Sequence, residues 1–159
     1  MAKVVVIYDT KTGNTELMAQ AVAKGSKSVP KAEVSLKKVE QASIEDLLNS
    51  DAIIIGSPTY YGLMSAKIKE LLDRSVKIHG KLEGKVGAAF TSAGGTASGA
   101  ETTILSIIQA MLVHGMIVQG RHNGKHYGAA AVGKPNEKDL AICEELGKRT
   151  TNLASLIHK

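Results

Sequence analysis

Short β-branched apolar runs alternate with longer amphipathic stretches from one end of the chain to the other, and no other feature constrains the fold as tightly. Lys3 to Tyr8 (KVVVIY) and Ala52 to Gly56 (AIIIG) are continuous apolar runs, the mark of strands buried on both faces. Glu33 to Lys38 alternates apolar with polar and is expected near an edge. Lys85 to Thr91 is a strand rich in small residues, and Met116 to Gln119 is the fifth. Helical spacing fills the intervals at Thr15–Lys27, Ser43–Asn49, Ser65–Arg74 and Gly99–His114, with a last helix opening at Pro135-Asn136. Ser43 with Asp46, and Asn136 with Asp139, have the spacing of helix caps, while Gly115 stands where a helix would stop. Strands separated by helices predict an α/β three-layer sandwich. Its five-stranded parallel sheet would carry helices on both faces, with strand order 2-1-3-4-5.

The 159 residues suit one domain spanning 1–159, with 43% hydrophobic and 22% charged residues. No apolar run approaches the roughly 18 residues of a membrane span. The opening Met1-Ala2-Lys3 leads straight into a strand-like run rather than a secretory leader. One cysteine, Cys143, cannot form an internal disulfide, so a reducing, cytoplasmic setting is expected. The net charge of +5 comes from lysines spread along the chain, with no block of like charge, and no nucleic-acid role is expected. No paired-ligand spacing for a metal exists, and Cys143 is read as a small core residue.

In such sheets ligands bind beyond the carboxyl ends of the strands, so the loops after strands 1, 3 and 4 decide the function. The first, Asp9 to Thr15, offers the hydroxyls of Thr10, Thr12 and Thr15, the side chains of Lys11 and Asn14, and close backbone approach at Gly13. At a helix start this set suits a phosphate, although a helix cap by Asn14 or Thr12 is the plainer alternative. It is no Walker loop, because Lys11-Thr12 precede the glycine. The second loop holds Pro58, Thr59, Tyr60, Tyr61 and Gly62, and a planar ligand could lie against one ring. The alternative is a tyrosine pair covering the end of the core. The third, Ser92, Ala93, Gly94, Gly95, Thr96 and Ala97, exposes backbone donors with no bulky side chain, as a wrap for a ligand or a flexible connection would.

With these loops in hand, the sequence resembles the flavodoxin superfamily along nearly its whole length. TGNT (Thr12 to Thr15) is similar to a flavodoxin phosphate loop. Ser57 to Gly62 with Met64-Ser65, Thr91 to Gly95, His114-Gly115-Met116 and His126 to Ala129 look more like the WrbA type of NAD(P)H:quinone oxidoreductase. The resemblance implies FMN, with its phosphate at Thr10 to Thr15, its ring edge at Thr59 to Tyr61 and its pyrimidine side at Ser92 to Ala97. It implies a catalytic role for His114, matching a histidine that lies beside the flavin in the quinone reductases, from the same or a neighbouring subunit; the alternative is a histidine that simply ends a helix, where the dipole favours it when protonated. The segment between strands 2 and 3, and Gly120 to Lys125, look shorter than in those enzymes. Because both help build subunit contacts and the substrate rim there, a homodimer or homotetramer and a quinone pocket are open expectations.

Two chemistries share this fold: one-electron transfer between redox proteins, and two-electron transfer from NADH or NADPH to a quinone. Flavodoxins usually sandwich the ring between aromatic side chains, yet the loop Ser92 to Gly99 contains none, which leaves one face for a second ring to stack. Flavodoxins are typically acidic, whereas this chain is basic, with Lys11, Lys67 and Arg74 in or just after the relevant loops. The quinone reductase is therefore the leading expectation and the electron carrier the alternative, with a non-catalytic FMN-binding module behind them. A response-regulator receiver needs acidic residues gathered after strands 1 and 3, and Asp9 stands alone.

Overall fold

The computed structural model describes residues 1–158. Its elements run β1 (Lys3–Tyr8), α1 (Asn14–Lys27), β2 (Glu33–Lys38), α2 (Ile44–Leu48), β3 (Ala52–Pro58), α3 (Ala66–Arg74), β4 (Val86–Ala93), α4 (Ala100–Val113), β5 (Ile117–Val118), β6 (Ala129–Val132) and α5 (Glu137–Ile157). The sheet is parallel throughout, in the order β2-β1-β3-β4-β5, with β6 also paired to β4. The expected flavodoxin-like order is present, and β2 is the edge strand with mostly exposed residues.

One strand goes beyond the five expected. The fifth position of the sheet is filled by two segments rather than one: β5 pairs only with Val86 and Gly87, while β6 pairs with Phe90 to Ala93. The excursion 119–128 separates them. Arg149 donates to the carbonyls of Gln119 and Gly120 where the chain leaves the sheet. It returns at Gly128, where a Cβ would lie 2.1 Å from the carbonyl oxygen of Ala89.

Strand alternation divides the core. Val4, Val6, Tyr8, Ile54 and Phe90 face α1 and α5, while Val5, Ile7, Ile53 and Ile55 face α2, α3 and α4. The lone phenylalanine, Phe90, lies across Gly56 of the neighbouring strand, where a Cβ would come within 2.1 Å of its ring. Helix α4 closes as the sequence predicts. Gly115 takes φ +74°, its N–H donates to Leu112 and the Met116 N–H donates to Met111, the two bonds of a Schellman motif.

Helices α1 and α5 meet through reciprocal glycines. A Cβ on Gly25 would lie 1.9 Å from the carbonyl oxygen of Glu144, and one on Gly147 would lie 2.0 Å from that of Val22. Both obstacles are backbone, so the helices must part to admit a methyl group. Gly147→Ala gains up to about 1 kcal/mol in helix propensity but is expected to lose about 3 kcal/mol to overpacking. The net loss of about 2 kcal/mol would appear as a lower urea midpoint. An unchanged midpoint would mean that the two helices separate without penalty.

Candidate functional site

Parallel strands end at one edge, and the loops after β1, β3 and β4 meet there. They enclose a groove of about 330 Å³ lined by Lys11, Thr12 and Asn14 from the first loop, Pro58, Thr59 and Tyr60 from the second, and Ser92, Ala93 and Gly94 from the third. Gly133, just after β6, also lines it. Nothing singles Gly133 out in the sequence, because β6 itself carries no clear strand signal.

The first loop leaves the end of α1 open. Gly13 is the N-cap, at φ +92°, and no side chain caps the helix. The first intrahelical bond runs from the Leu17 N–H to the Gly13 carbonyl, 3.1 Å, which leaves the amides of Asn14, Thr15 and Glu16 outside the helical ladder. Neither Asn14 nor Thr12 acts as the cap. Thr10 accepts from the Gly13 N–H at 3.1 Å, closing the loop on itself. Thr15 differs from expectation: its hydroxyl is buried and paired with Ser92 Oγ at 2.8 Å, fastening α1 to the end of β4.

The second loop is a two-residue turn. Tyr60 and Leu63 exchange both backbone bonds, at 3.1 and 3.0 Å, with Tyr61 and Gly62 at φ +49° and +75° between them. Tyr60 lines the groove, whereas Tyr61 and Gly62 form the tip and do not line it; the Tyr61 ring is turned fully to solvent. Thr59 ties the turn to β4, its N–H donating to the Ser92 carbonyl at 2.8 Å and its hydroxyl meeting that of Thr91 at 2.9 Å. Gly99 backs against Gly62, since a Cβ there would lie 2.6 Å from the Gly62 Cα. In the third loop, a Cβ on Gly94 or Gly95 would meet no atom within 4 Å, which makes the pair an open cradle. Gly95, Thr96 and Ala97 line an adjoining depression of about 350 Å³ with Lys125 and Val132, separate from the groove.

His114 lies elsewhere. It follows α4, which starts at the groove edge and runs 14 residues away from it, about 21 Å. Within the chain the structure does not bring His114 to the groove. Its Nε2 lies 2.7 Å from Ser75 Oγ. The single Ser75 hydroxyl proton goes to the Leu72 carbonyl, so the hydrogen-bond network assigns the proton to Nε2 of His114. Nδ1 is buried without a partner. Burial, helped by His79 at a ring separation of 5.8 Å, holds the imidazole pKa below its ordinary 6.5, against the pull of the helix C-terminus.

The lysine expectations also change. Lys67 is paired with Glu40, and this hydrogen bond holds the Glu40 carboxyl below its ordinary range. Arg74 ends α3, at the helix end away from the groove. Only Lys11 of the three lines the groove. Cys143 is buried on α5, and burial pushes its thiol up to about 12, consistent with a packing role. Among the described residues there is no cluster of metal-ligating side chains and no helix long and apolar enough to cross a membrane.

A flavin mononucleotide requires anion donors, a wall for a planar ring and an unobstructed backbone edge. The open end of α1, Tyr60 and the uncrowded backbone at Gly94 supply these, so the residues present fit the group. Fold and site together define a flavodoxin-like flavoprotein with FMN as its cofactor. Residues 26–124 match the family described as NADPH-dependent FMN reductase, and the chain belongs to that family of oxidoreductases. It is 42% identical to a flavodoxin of Aquifex aeolicus, over 94% of this chain and 85% of the relative. It is 37% identical to an NAD(P)H dehydrogenase (quinone) of Archaeoglobus fulgidus, over 97% of this chain and 98% of the relative. Among solved structures, a WrbA-like flavodoxin from Agrobacterium tumefaciens superposes with a TM-score of 0.82 at 26% identity, covering 99% of both chains.

The lowered His114 pKa fixes a sign. The unfolded chain binds more protons than the folded one between the folded pKa and 6.5, so stability rises with pH across that window. The His114 contribution is fully present above 6.5 and is lost as pH falls below it. Urea unfolding of the wild type should weaken from pH 7.5 towards pH 5 more steeply than that of His114→Gln. Parallel pH profiles would show that His114 is not the group responsible.

Proposed function

We propose that this chain is a two-electron reductase that holds FMN in the groove, takes reducing equivalents from NADH or NADPH and delivers them to a quinone or a redox protein. The observation that carries the reading is the bare third loop: residues 92–99 include no aromatic side chain, and nothing crowds Gly94 or Gly95. A ring resting against Tyr60 would keep its opposite face accessible to a second planar molecule.

The backbone amides at the start of α1, with Lys11, Thr12 and Asn14, would hold the phosphate, and Gly13 and Thr10 shape the loop that presents them. Thr15 acts indirectly, through its bond to Ser92. Pro58, Thr59 and Tyr60 would border the ring, with Ser92, Ala93 and Gly94 beneath it. Gly95, Thr96 and Ala97 belong to the rim rather than the floor, and Tyr61-Gly62 to the tip. When bound, FMN supplies the capacity to accept a hydride or single electrons; the chain supplies position and access. His114 would reach a flavin only in an assembly that brings it from another copy, as a homodimer or homotetramer could. A cytoplasmic setting and a single-domain organisation for 1–159 are parts of the same reading.

The second reading, a one-electron carrier, is favoured by the exposed apolar tip of Tyr61 and Leu63, a surface on which a redox protein could dock. Anaerobic titration of the FMN-loaded protein with NADH, NADPH and then dithionite separates the two. Direct bleaching by either nucleotide in a single spectral step is expected. No reaction with nucleotide, and two resolved one-electron stages with dithionite, would sink the reductase and leave the carrier.

The groove assignment makes a separate prediction. Ser92→Val removes the buried partner of Thr15, which costs about 1–3 kcal/mol in unsatisfied hydroxyl, and loosens α1 from β4. FMN affinity, followed by quenching of flavin fluorescence, should fall by about tenfold for a loss in that range. Unaltered affinity would show that the α1 end is positioned without this bond.

A further inference from the structure

Among the described residues, three helices carry an acidic residue at the third helical position, and they treat it in two ways. At α2 and α5 the acid closes a capping box. Asp46 accepts from the Ser43 N–H at 2.8 Å, Asp139 accepts from the Asn136 N–H at 3.2 Å, and each cap side chain reciprocates. At α1 the acid is Glu16, and the N-cap amide it would reach belongs to Gly13. That amide is taken instead by Thr10. The Glu16 carboxylate is taken by Tyr8, whose hydroxyl donates to Oε1 at 2.8 Å.

We propose that Tyr8 is a positioning residue that holds the Glu16 carboxylate away from the end of α1, so that the amides there stay open to the phosphate of the cofactor. The proposal rests on the FMN reading of the groove. A carboxylate at the third position of a helix is drawn to the free N–H groups and the positive end of the dipole. Left free, Glu16 would be drawn to the open amides at the start of α1, since the Gly13 amide is held by Thr10, and would place a negative charge where a phosphate must sit. Tyr8 is suited to prevent this: it is buried at the last position of β1, directly before the loop. Burial, then the bond to Glu16, raises its hydroxyl pKa to about 12, so it remains a donor at neutral pH.

The test compares FMN with riboflavin, which has the ring but no phosphate, by quenching of flavin fluorescence. Tyr8→Phe should weaken FMN by about tenfold, the scale on which a capping interaction must be displaced, and leave riboflavin unchanged. In a Glu16→Ala background the same substitution should have no further effect on FMN. Equal losses for FMN and riboflavin, or a loss for FMN that persists in the Glu16→Ala background, would overturn the proposal. Inorganic phosphate gives a readout without flavin. It should raise the Tm of the wild-type apoprotein more than that of Tyr8→Phe, and equal shifts, including none in either, would overturn the positioning role of Tyr8. A wild type that responds to phosphate in this way yet binds no FMN would retain the positioning role of Tyr8 and sink the flavin reading.

Discussion

The structure depends on the in-register parallel ladder of β1, β3 and β4. Tyr8, Gly56 and Phe90 stand side by side in it, and each strand ends within a few residues of that row. A parallel sheet gives its strands a common direction, so their following loops emerge at one edge whatever their composition. The buried runs of β1 and β3 thus do more than fill the core, because their shared endpoint brings residues 10–15, 58–62 and 92–95 together. The ladder also continues past the apolar runs: Thr59 and Ser92 extend its hydrogen bonding into the loops, so the groove floor is made of sheet rather than of free chain.

Close approach is the second constraint, and glycine is where it is met. Phe90 can lie in the core only because Gly56 beside it has no side chain, and Gly25 and Gly147 let α1 and α5 approach backbone to backbone. At the site the same residue type has the opposite use. Gly13, Gly94 and Gly95 have nothing nearby for a Cβ to strike. The first group brings protein against protein, and the second leaves protein open to something else.

Much of this is legible in the sequence because it rests on local pattern. The β-branched runs, the caps at Ser43 and Asn136, and Gly115 as a helix stop each follow from residue type and spacing alone. The split of the last strand does not, since Ala129 to Val132 is too short and too small in side-chain volume to stand out from a glycine-bounded loop, and its pairing with β4 is set by tertiary contacts. Side-chain commitments are hidden for a similar reason. That Thr15 is spent on Ser92, 77 residues away, or that Tyr61 points outward while Tyr60 lines the groove, depends on where distant elements meet. Resemblance puts His114 beside the flavin, whereas the chain's own geometry puts it at the far end of α4.

Electrostatics separates the two chemistries less than the net charge suggests. Of the three cations expected near the ring, Lys67 is neutralised by Glu40 and Arg74 lies at the far end of its helix. Lys11 remains, at the phosphate end of the groove, where an exposed charge is screened within roughly 10 Å at ordinary ionic strength. Charge beside the groove therefore does not favour the two-electron reading over the one-electron one. On the reductase reading, the difference from a carrier that encloses its flavin would be steric: the second loop supplies Tyr60 as a wall, and the third supplies only small side chains to the groove. Access to the second face, rather than charge beside it, is the property through which this sequence would favour hydride transfer.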